Sequence, residues 1–173
     1  MTDAIPGGDS VSTLAEDTPA SRIQPLNHPI ILSHGTLECR NLANSRRFYE
    51  EFLGLECVRH SKRSLKIRKG GYWAIVCLER GDHVQPLRIG NHWGLDLDSR
   101  EAVQRAHALA TEHKEKYGIQ KITKVTDDTD TYQFYFMDLD GNWWEFQYAG
   151  EGQREGRGRN DFHFERGDVV PMS

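Results

Sequence analysis

YQFYFMDLDGNWWEFQY, residues 132–148, reads as two β-strands joined by a tight turn at residues 138–142. Gly, Asp and Asn in that turn adopt the backbone conformations that a hairpin needs. Because side chains alternate between the two faces of a strand, one face of this hairpin is wholly aromatic. We expect that face to pack against a helix. It consists of Phe134, Phe136, Trp144, Phe146 and Tyr148.

The opposite face of the hairpin carries a carboxylate. If Met137 pairs with Trp143 across the turn, Tyr135 lies opposite Glu145. Burying a carboxylate in an aromatic strand is costly unless a cation or a hydrogen-bond donor pairs with it. A metal ion is one such partner, and a surface Glu on a half-exposed strand is the alternative. The hairpin alone leaves both open.

Length and composition exclude several classes of protein. With 173 residues and a net charge of −4, the chain suits one domain and has no basic stripe for nucleic acid. It has no apolar run long enough for a membrane span and no signal-peptide pattern at its start. Its three cysteines show no metal-binding spacing and leave one unpaired, which indicates a reducing, cytoplasmic location.

Composition also predicts the domain boundaries. Residues 1–24 are polar and Pro/Gly-rich, which predicts a disordered leader. Residues 25–150 form the predicted domain, and residues 151–173 form a polar tail. The tail ends in FHFERGDVV, whose Phe162, Phe164 and Val169 are candidates for docking on the domain or on a partner chain.

Within the domain, two similar blocks predict an α+β fold built from duplicated modules, at about residues 28–80 and 88–150. Each block reads as a strand, a helix and three strands. The first has a strand at 30–39, a helix from Asn41 to Phe52, and strands at 55–60, 64–69 and 72–79. The second has a strand at 91–98, a helix from Arg100 to about Lys116 capped by Ser99, a strand at 122–126, and the hairpin.

The repeat places His34 and His92 at matching positions, each in the first strand of its block. Either histidine alone is an ordinary strand residue. Together with Glu145 they make the donor set of a two-histidine, one-carboxylate metal site.

The sequence resembles the vicinal oxygen chelate superfamily, the glyoxalase/bleomycin-resistance/extradiol-dioxygenase group. The resemblance rests on HGTLECRNLANSRRFYEEFLGLE (34–56), HWGLDLD (92–98) and FMDLDGNWWEF (136–146). It implies paired βαβββ modules whose sheets form a cup around a divalent metal, with His34, His92 and Glu145 as the ligands. Many members have a fourth ligand at the end of the first module, where this chain offers Cys77 or Glu79. Neither fits clearly, so we expect three protein ligands.

Three ligands leave open positions for a chelating substrate and O₂. The resemblance therefore favours an Fe(II) extradiol-type dioxygenase acting on a small aromatic or vicinal-oxygen substrate, with Tyr135 as a catalytic residue. One alternative is a glyoxalase-like lyase or isomerase using Zn²⁺, Ni²⁺ or Mn²⁺, and another is a metal-free small-molecule binding protein. Extradiol enzymes use an additional histidine as acid and base, and residues 121–131 contain none. We expect His107 and His113 to face solvent, which leaves His60, His83 or His163.

Two further residues are candidates for the substrate pocket. Trp143 is on the Glu145 face and is predicted to form a pocket wall. Asp96 follows His92 by four residues and either orients that ligand or forms the polar edge of the strand. Trp93 alternates with His92 and is expected in the core. We expect a homodimer whose partners are a small-molecule substrate and O₂, with no nucleic acid and no membrane.

Overall fold

The predicted hairpin forms strands at Thr131–Met137 and Trp143–Ala149 in a computed structural model that describes residues 26–27, 29–71, 73–128 and 131–149. The chain divides into two units, Met1–His28 with Gly156–Ser173, and Pro29–Glu155. All the helices and strands of the described residues belong to the second unit. The predicted leader and the whole of the predicted polar tail, including its docking segment, lie outside the described residues.

The first module is a four-stranded sheet with one helix on it. Its elements are β1 (His34–Cys39), α1 (Leu42–Arg47) continued by a π-helical turn (Phe48–Phe52), β2 (Glu56–Ser61), β3 (Ser64–Arg68) and β4 (Ala74–Glu79). The strand order is β1-β4-β3-β2, and β1 pairs parallel with β4. A short 3₁₀ helix, Gly81–His83, follows.

The second module repeats this arrangement. Its elements are β5 (His92–Asp96), α2 (Arg100–Glu112), α3 (Lys114–Tyr117), β6 (Lys121–Ile122), β7 (Thr126–Asp128), β8 (Thr131–Met137) and β9 (Trp143–Ala149). The order is β5-β9-β8-β6, with β7 also on β8, and β5 pairs parallel with β9. The α+β fold class is confirmed. None of the helices in the described ranges is long and apolar enough to cross a membrane.

Side-chain caps fix where the helices begin. The Asn41 side chain accepts hydrogen bonds from two backbone N–H groups at the start of α1, and Ser99 does the same for one at the start of α2. Two expectations change in detail. The first helix widens to a π-turn at Phe48, and the single strand expected at 122–126 is replaced by the two short strands β6 and β7.

The helix-facing sides of both sheets share one apolar core. Tyr49 packs against Trp144 with ring centroids 5.7 Å apart, and Phe52 packs against Phe136 at 5.8 Å. The aromatic face predicted for the hairpin therefore lies in this core. The core is formed by the helix-facing side of each sheet. The opposite faces therefore lie outside the core, and they carry His34 in one sheet and His92 in the other.

The hairpin turn is tied to the first module. Asp140, which is 1% exposed, accepts hydrogen bonds from Ser45 Oγ at 2.6 Å and from the backbone N–H of Arg40 at 2.8 Å. Asn142 Nδ2 donates to the carbonyl of Glu38 at 2.9 Å. These bonds fix the start of β9, the strand that carries Glu145.

Candidate metal centre

Strand register brings the predicted ligands of the second module together. Tyr135 lies opposite Glu145 and Met137 opposite Trp143, as the hairpin predicted. On the other side of β9, His92 is in register with Trp143 and Gly94 with Glu145. His92, Glu145 and Tyr135 therefore lie on the same face of the sheet, on the neighbouring strands β5, β9 and β8.

His92 and Glu145 are in direct contact. His92 Nε2 lies 3.2 Å from Glu145 Oε2, and the Glu145 side chain is 7% exposed. His92 Nδ1 lies 2.8 Å from the carbonyl of Ile89, which can only accept, so Nδ1 carries a hydrogen. Nε2 therefore faces the carboxylate, and either a proton on Nε2 or a cation bound by both groups satisfies this contact.

That spacing suits a metal cation. Two ligands about 2.1 Å from one cation, at right angles, lie about 3 Å apart. The Gly94 backbone borders the pair directly, because a Cβ built there would be in van der Waals contact with Glu145 Oε2 at 3.4 Å and with the Gln147 amide nitrogen at 3.5 Å. A histidine held by a carbonyl through its other nitrogen is a common arrangement for a metal ligand. The donor pair therefore fits a divalent cation.

Tyr135 completes this cluster. Its ring lies edge-on to His92, with centroids 5.0 Å apart. Burial, and then the hydrogen bond to the Glu145 carboxylate, raise the pKa of Tyr135 to about 12. The hydroxyl therefore stays protonated at neutral pH and acts as a hydrogen-bond donor.

His34 does not join this cluster within the chain. It is exposed at the start of β1, on the other sheet, and its Nδ1 lies 2.8 Å from Ser33 Oγ. In the described part of the chain no group of three or more His, Cys, Asp or Glu side chains is arranged to hold a metal ion. The assignment of His34 as a third ligand stays a prediction.

Comparison with known proteins identifies the family. The model of the Glyoxalase/Bleomycin resistance protein/Dioxygenase superfamily matches residues 31–146, which include both modules. The chain belongs to this superfamily. The resemblance inferred from the sequence motifs is confirmed. No curated protein sequence matches the chain.

Solved structures of the superfamily share the fold. A FosX fosfomycin resistance protein from Listeria monocytogenes, crystallised with Mn(II) and sulfate, matches with 19% identity, a TM-score of 0.56, and coverage of 76% of this chain and 100% of its own. A possible glyoxalase from Bacillus cereus matches with 19% identity and a TM-score of 0.55. The match covers 68% of this chain and 98% of that protein's chain. A glyoxalase/dioxygenase from Nostoc punctiforme matches with 18% identity and a TM-score of 0.57. The match covers 75% of this chain and 99% of that protein's chain.

Neither candidate for a fourth ligand, Cys77 or Glu79, lies on the His34 face of β4. Glu79 Oε1 accepts from the backbone N–H of Leu42 at 3.1 Å and so helps to cap α1. Cys77 is fully buried in the core, 3.8 Å from the Tyr49 hydroxyl. Ala74 is the register partner of His34, and both Cys77 and Glu79 alternate to the opposite face of β4.

The two pocket candidates lie on the Glu145 face of the sheet. Trp143 is 7% exposed, its Nε1 donates to the carbonyl of Leu87 at 3.1 Å, and Lys121 Nζ lies 6.0 Å from its ring centroid. Asp96 is in register with Gln147 at the exposed end of β5. Contact of either residue with a substrate stays a prediction.

Sequence reasoning overlooked Gly94, which borders the His92–Glu145 pair, and it assigned His107 to the wrong environment. Gly94 was not singled out, although a lone glycine inside a strand often marks close approach of a ligand. The expectation that His107 faces solvent was wrong. His107 is part-buried, its Nε2 lies 3.0 Å from the carbonyl of Thr123, and its ring packs on Phe134 at 5.0 Å. Those contacts stabilise it on the helix-facing side, away from Glu145.

Proposed function

We propose that the protein is a metal-dependent enzyme that binds one divalent cation per chain through His92 and Glu145. The approach of His92 Nε2 to Glu145 Oε2, with Nδ1 anchored on the Ile89 carbonyl, carries this proposal. The substrate would be a small molecule that chelates through two neighbouring oxygens, in keeping with the superfamily. The three cysteines are free and buried, which suits a cytoplasmic enzyme.

The third ligand in this proposal is His34 of a second copy of the chain. His34, Thr36 and Glu38 lie on the face of β1 that points away from the shared core, whereas Leu37 and Cys39 alternate into it. His92 and Glu145 likewise lie on the face of their sheet opposite the core. A homodimer can bring these two faces together, and partly buried Val76 and Leu78 on β4 supply apolar surface beside His34.

The residues of the site have distinct tasks. The Ile89 carbonyl holds the His92 ring so that Nε2 is free to ligate, and Glu145 supplies the negative charge. Tyr135 donates its hydroxyl proton to the Glu145 carboxylate and so orients it, and the hydroxyl oxygen can accept a hydrogen bond from a substrate hydroxyl. A bound metal would supply Lewis-acid chemistry and, as Fe(II), electron transfer to O₂.

Fe(II) ring cleavage of a small aromatic or vicinal-oxygen substrate remains our leading reaction, because three ligands leave positions for both reactants. A glyoxalase-like isomerase or lyase using Zn²⁺, Ni²⁺ or Mn²⁺ is the second candidate. One observation favours it: among the strands of the second sheet in the described ranges, only β5 carries a histidine, His92, so these strands offer no separate histidine acid/base. A metal-free binding protein is disfavoured because the chain retains all three residues of the ligand set, His34, His92 and Glu145.

Metal analysis of protein purified without oxygen tests the site. We expect about one divalent ion per chain, loss of stoichiometric binding in His92→Ala, and full binding in the control His60→Ala, whose histidine is exposed in β2. Stoichiometric metal in His92→Ala would refute the site.

Subunit mixing tests the origin of His34. His34→Ala and Glu145→Gln should each lose tight metal binding, and a heterodimer of the two should regain one intact site. Restored binding of about half the wild-type stoichiometry is expected. No restoration in a heterodimer verified by mass spectrometry would contradict a shared site.

Reaction class is tested with an oxygen electrode and a panel of catechols and enediols. Uptake of O₂ by the Fe(II)-loaded protein is expected, and it should disappear in Glu145→Gln. No uptake, together with isomerisation of a thiol adduct by the Zn²⁺ or Ni²⁺ form, would establish the second candidate instead.

A further inference from the structure

The two sides of Glu145 differ in exposure along the metal-binding face of the second sheet. On one side lie Trp143 and its register partner Met137, and both are buried. The segment that leads into β5 bonds to this side. Trp143 Nε1 donates to the Leu87 carbonyl at 3.1 Å, and the Leu87 backbone N–H donates to the Gly141 carbonyl at 2.9 Å. The chain itself therefore covers much of this side.

The row of residues on the other side of Glu145 is polar and accessible. It runs across four neighbouring strands as the register partners Asp96, Gln147, Gln133 and Thr126. Because side chains alternate along a strand, this amide row lies on the same face as Glu145. Its two central amide side chains are half-buried, and the residues at its ends are exposed. The accessible surface beside Glu145 therefore lies on this side.

Gln147 is the amide that borders the metal pair. A Cβ built on Gly94 would lie 3.5 Å from Gln147 Nε2 and 3.4 Å from Glu145 Oε2, so both atoms border the same space above the Gly94 backbone. The Gln147 carbonyl accepts from the backbone N–H of Leu97 at 2.7 Å, which fixes its backbone. Within the described ranges the side-chain amide makes no hydrogen bond. Gln147 therefore offers a donor and an acceptor to a ligand of the pair.

We propose that Gln147 determines specificity at the metal centre by binding an uncharged polar substituent of the chelating substrate, a hydroxyl or a carboxamide. This inference rests on the proposed function, because the substrate must chelate a metal held by His92 and Glu145. Side chains two residues apart on one face of a strand are about 7 Å apart, so roughly one aromatic ring separates the substituent from the chelating oxygens. A primary amide donates and accepts without carrying charge. None of the described residues in the amide row is basic, so the row offers no countercharge to a carboxylate.

Three catechols that differ only in the group para to one hydroxyl, a carboxamide, a carboxylate or a methyl, match this geometry. Each is titrated calorimetrically, without oxygen, into the full-length protein loaded with Mn²⁺. Gln147→Met keeps an unbranched side chain and removes the amide. It should weaken the carboxamide probe about fivefold to tenfold and change the methyl probe less than twofold. Because the substituents also alter the acidity of the hydroxyls, the quantity compared is each probe's affinity ratio between variant and wild type.

Gln104→Met is the matched control, because Gln104 is exposed on α2 and its amide donates to the Tyr132 hydroxyl at 2.9 Å. It should change no probe affinity more than twofold. Circular dichroism and Mn²⁺ stoichiometry of Gln147→Met should match the wild type. Gln147→Ala measures the same loss independently of how the methionine packs.

Glu145→Gln separates this inference from the proposed function. Loss of all three probes in Glu145→Gln, together with the selective loss in Gln147→Met, supports both. If binding depends on Glu145 but Gln147→Met weakens the three probes equally or not at all, the metal centre stands and the specificity role is overturned. A larger loss for the carboxylate than for the carboxamide would show that the row binds an anion, which also overturns it. If no probe binds the Mn²⁺-loaded protein, the chelating site is refuted and this inference with it.

Discussion

The bond between Ser45 and Asp140 joins residues that are 95 positions apart and belong to different modules. We predict that Ser45→Ala destabilises the protein far more than a serine on a helix normally would. The Ser45 hydroxyl donates to the Asp140 carboxylate at 2.6 Å, and both residues are buried. Burial also raises the pKa of Asp140, which means that its charged form depends on the donors around it.

The magnitude follows from the kind of bond that is lost. A hydrogen bond to a charged group contributes about 1.5–3 kcal/mol, and here the carboxylate stays buried after the donor is removed. The backbone N–H of Arg40 still donates to Asp140 at 2.8 Å, and the Arg40 guanidinium lies 3.7 Å away with its side chain 43% exposed. We therefore expect a loss of about 2 kcal/mol in the free energy of unfolding.

Urea unfolding of a double-mutant cycle measures this value. The cycle uses Ser45→Ala, Asp140→Asn and the double variant, with Thr111→Ala as a control hydroxyl on the exposed face of α2. The coupling energy should be about 1–2 kcal/mol, and the control should change stability by less than about 0.5 kcal/mol. Additive single effects, or a loss below about 0.5 kcal/mol in Ser45→Ala, would refute the reasoning.

Three further predictions concern the hairpin and the metal centre. Burial raises the pKa of Asp138 from 3.8 to about 6, so the native state retains a proton that the unfolded chain loses. Stability should therefore fall by up to about 3 kcal/mol between about pH 4 and pH 6, and Asp138→Asn should reduce that slope in urea titrations; an unchanged slope would contradict this. Tyr135→Phe should change the free energy of unfolding by about 1 kcal/mol but alter turnover more, and a large stability loss with unchanged activity would show that the hydroxyl is structural. Gly94→Ala adds a methyl 3.4 Å from Glu145 Oε2, so Mn²⁺ affinity should fall about tenfold in titrations while the circular dichroism spectrum stays the same; undiminished affinity would show that the metal does not use this space.

Local patterns in the sequence were sufficient for most of the secondary structure and for the pairing within the hairpin. Alternation along residues 132–148 predicted that Tyr135 opposes Glu145 and that the aromatic residues face a helix, because a strand has a period of two residues. Ser99 marked the start of the second helical region, because a cap acts on its own turn. The duplicated order of elements and the family motifs predicted the α+β fold.

Only the tertiary structure decided which faces of the two modules meet. Periodicity assigns a side chain to a face, but it does not state what that face will contact. His107 was expected in solvent and lies on Phe134, and Trp93, expected in the core, also lines a cavity. His34 and His92 occupy equivalent strand positions, yet within one chain His34 does not join the His92–Glu145 pair. The helix-facing sides of the two modules share one core, and the removal of their aromatic side chains from water favours that contact.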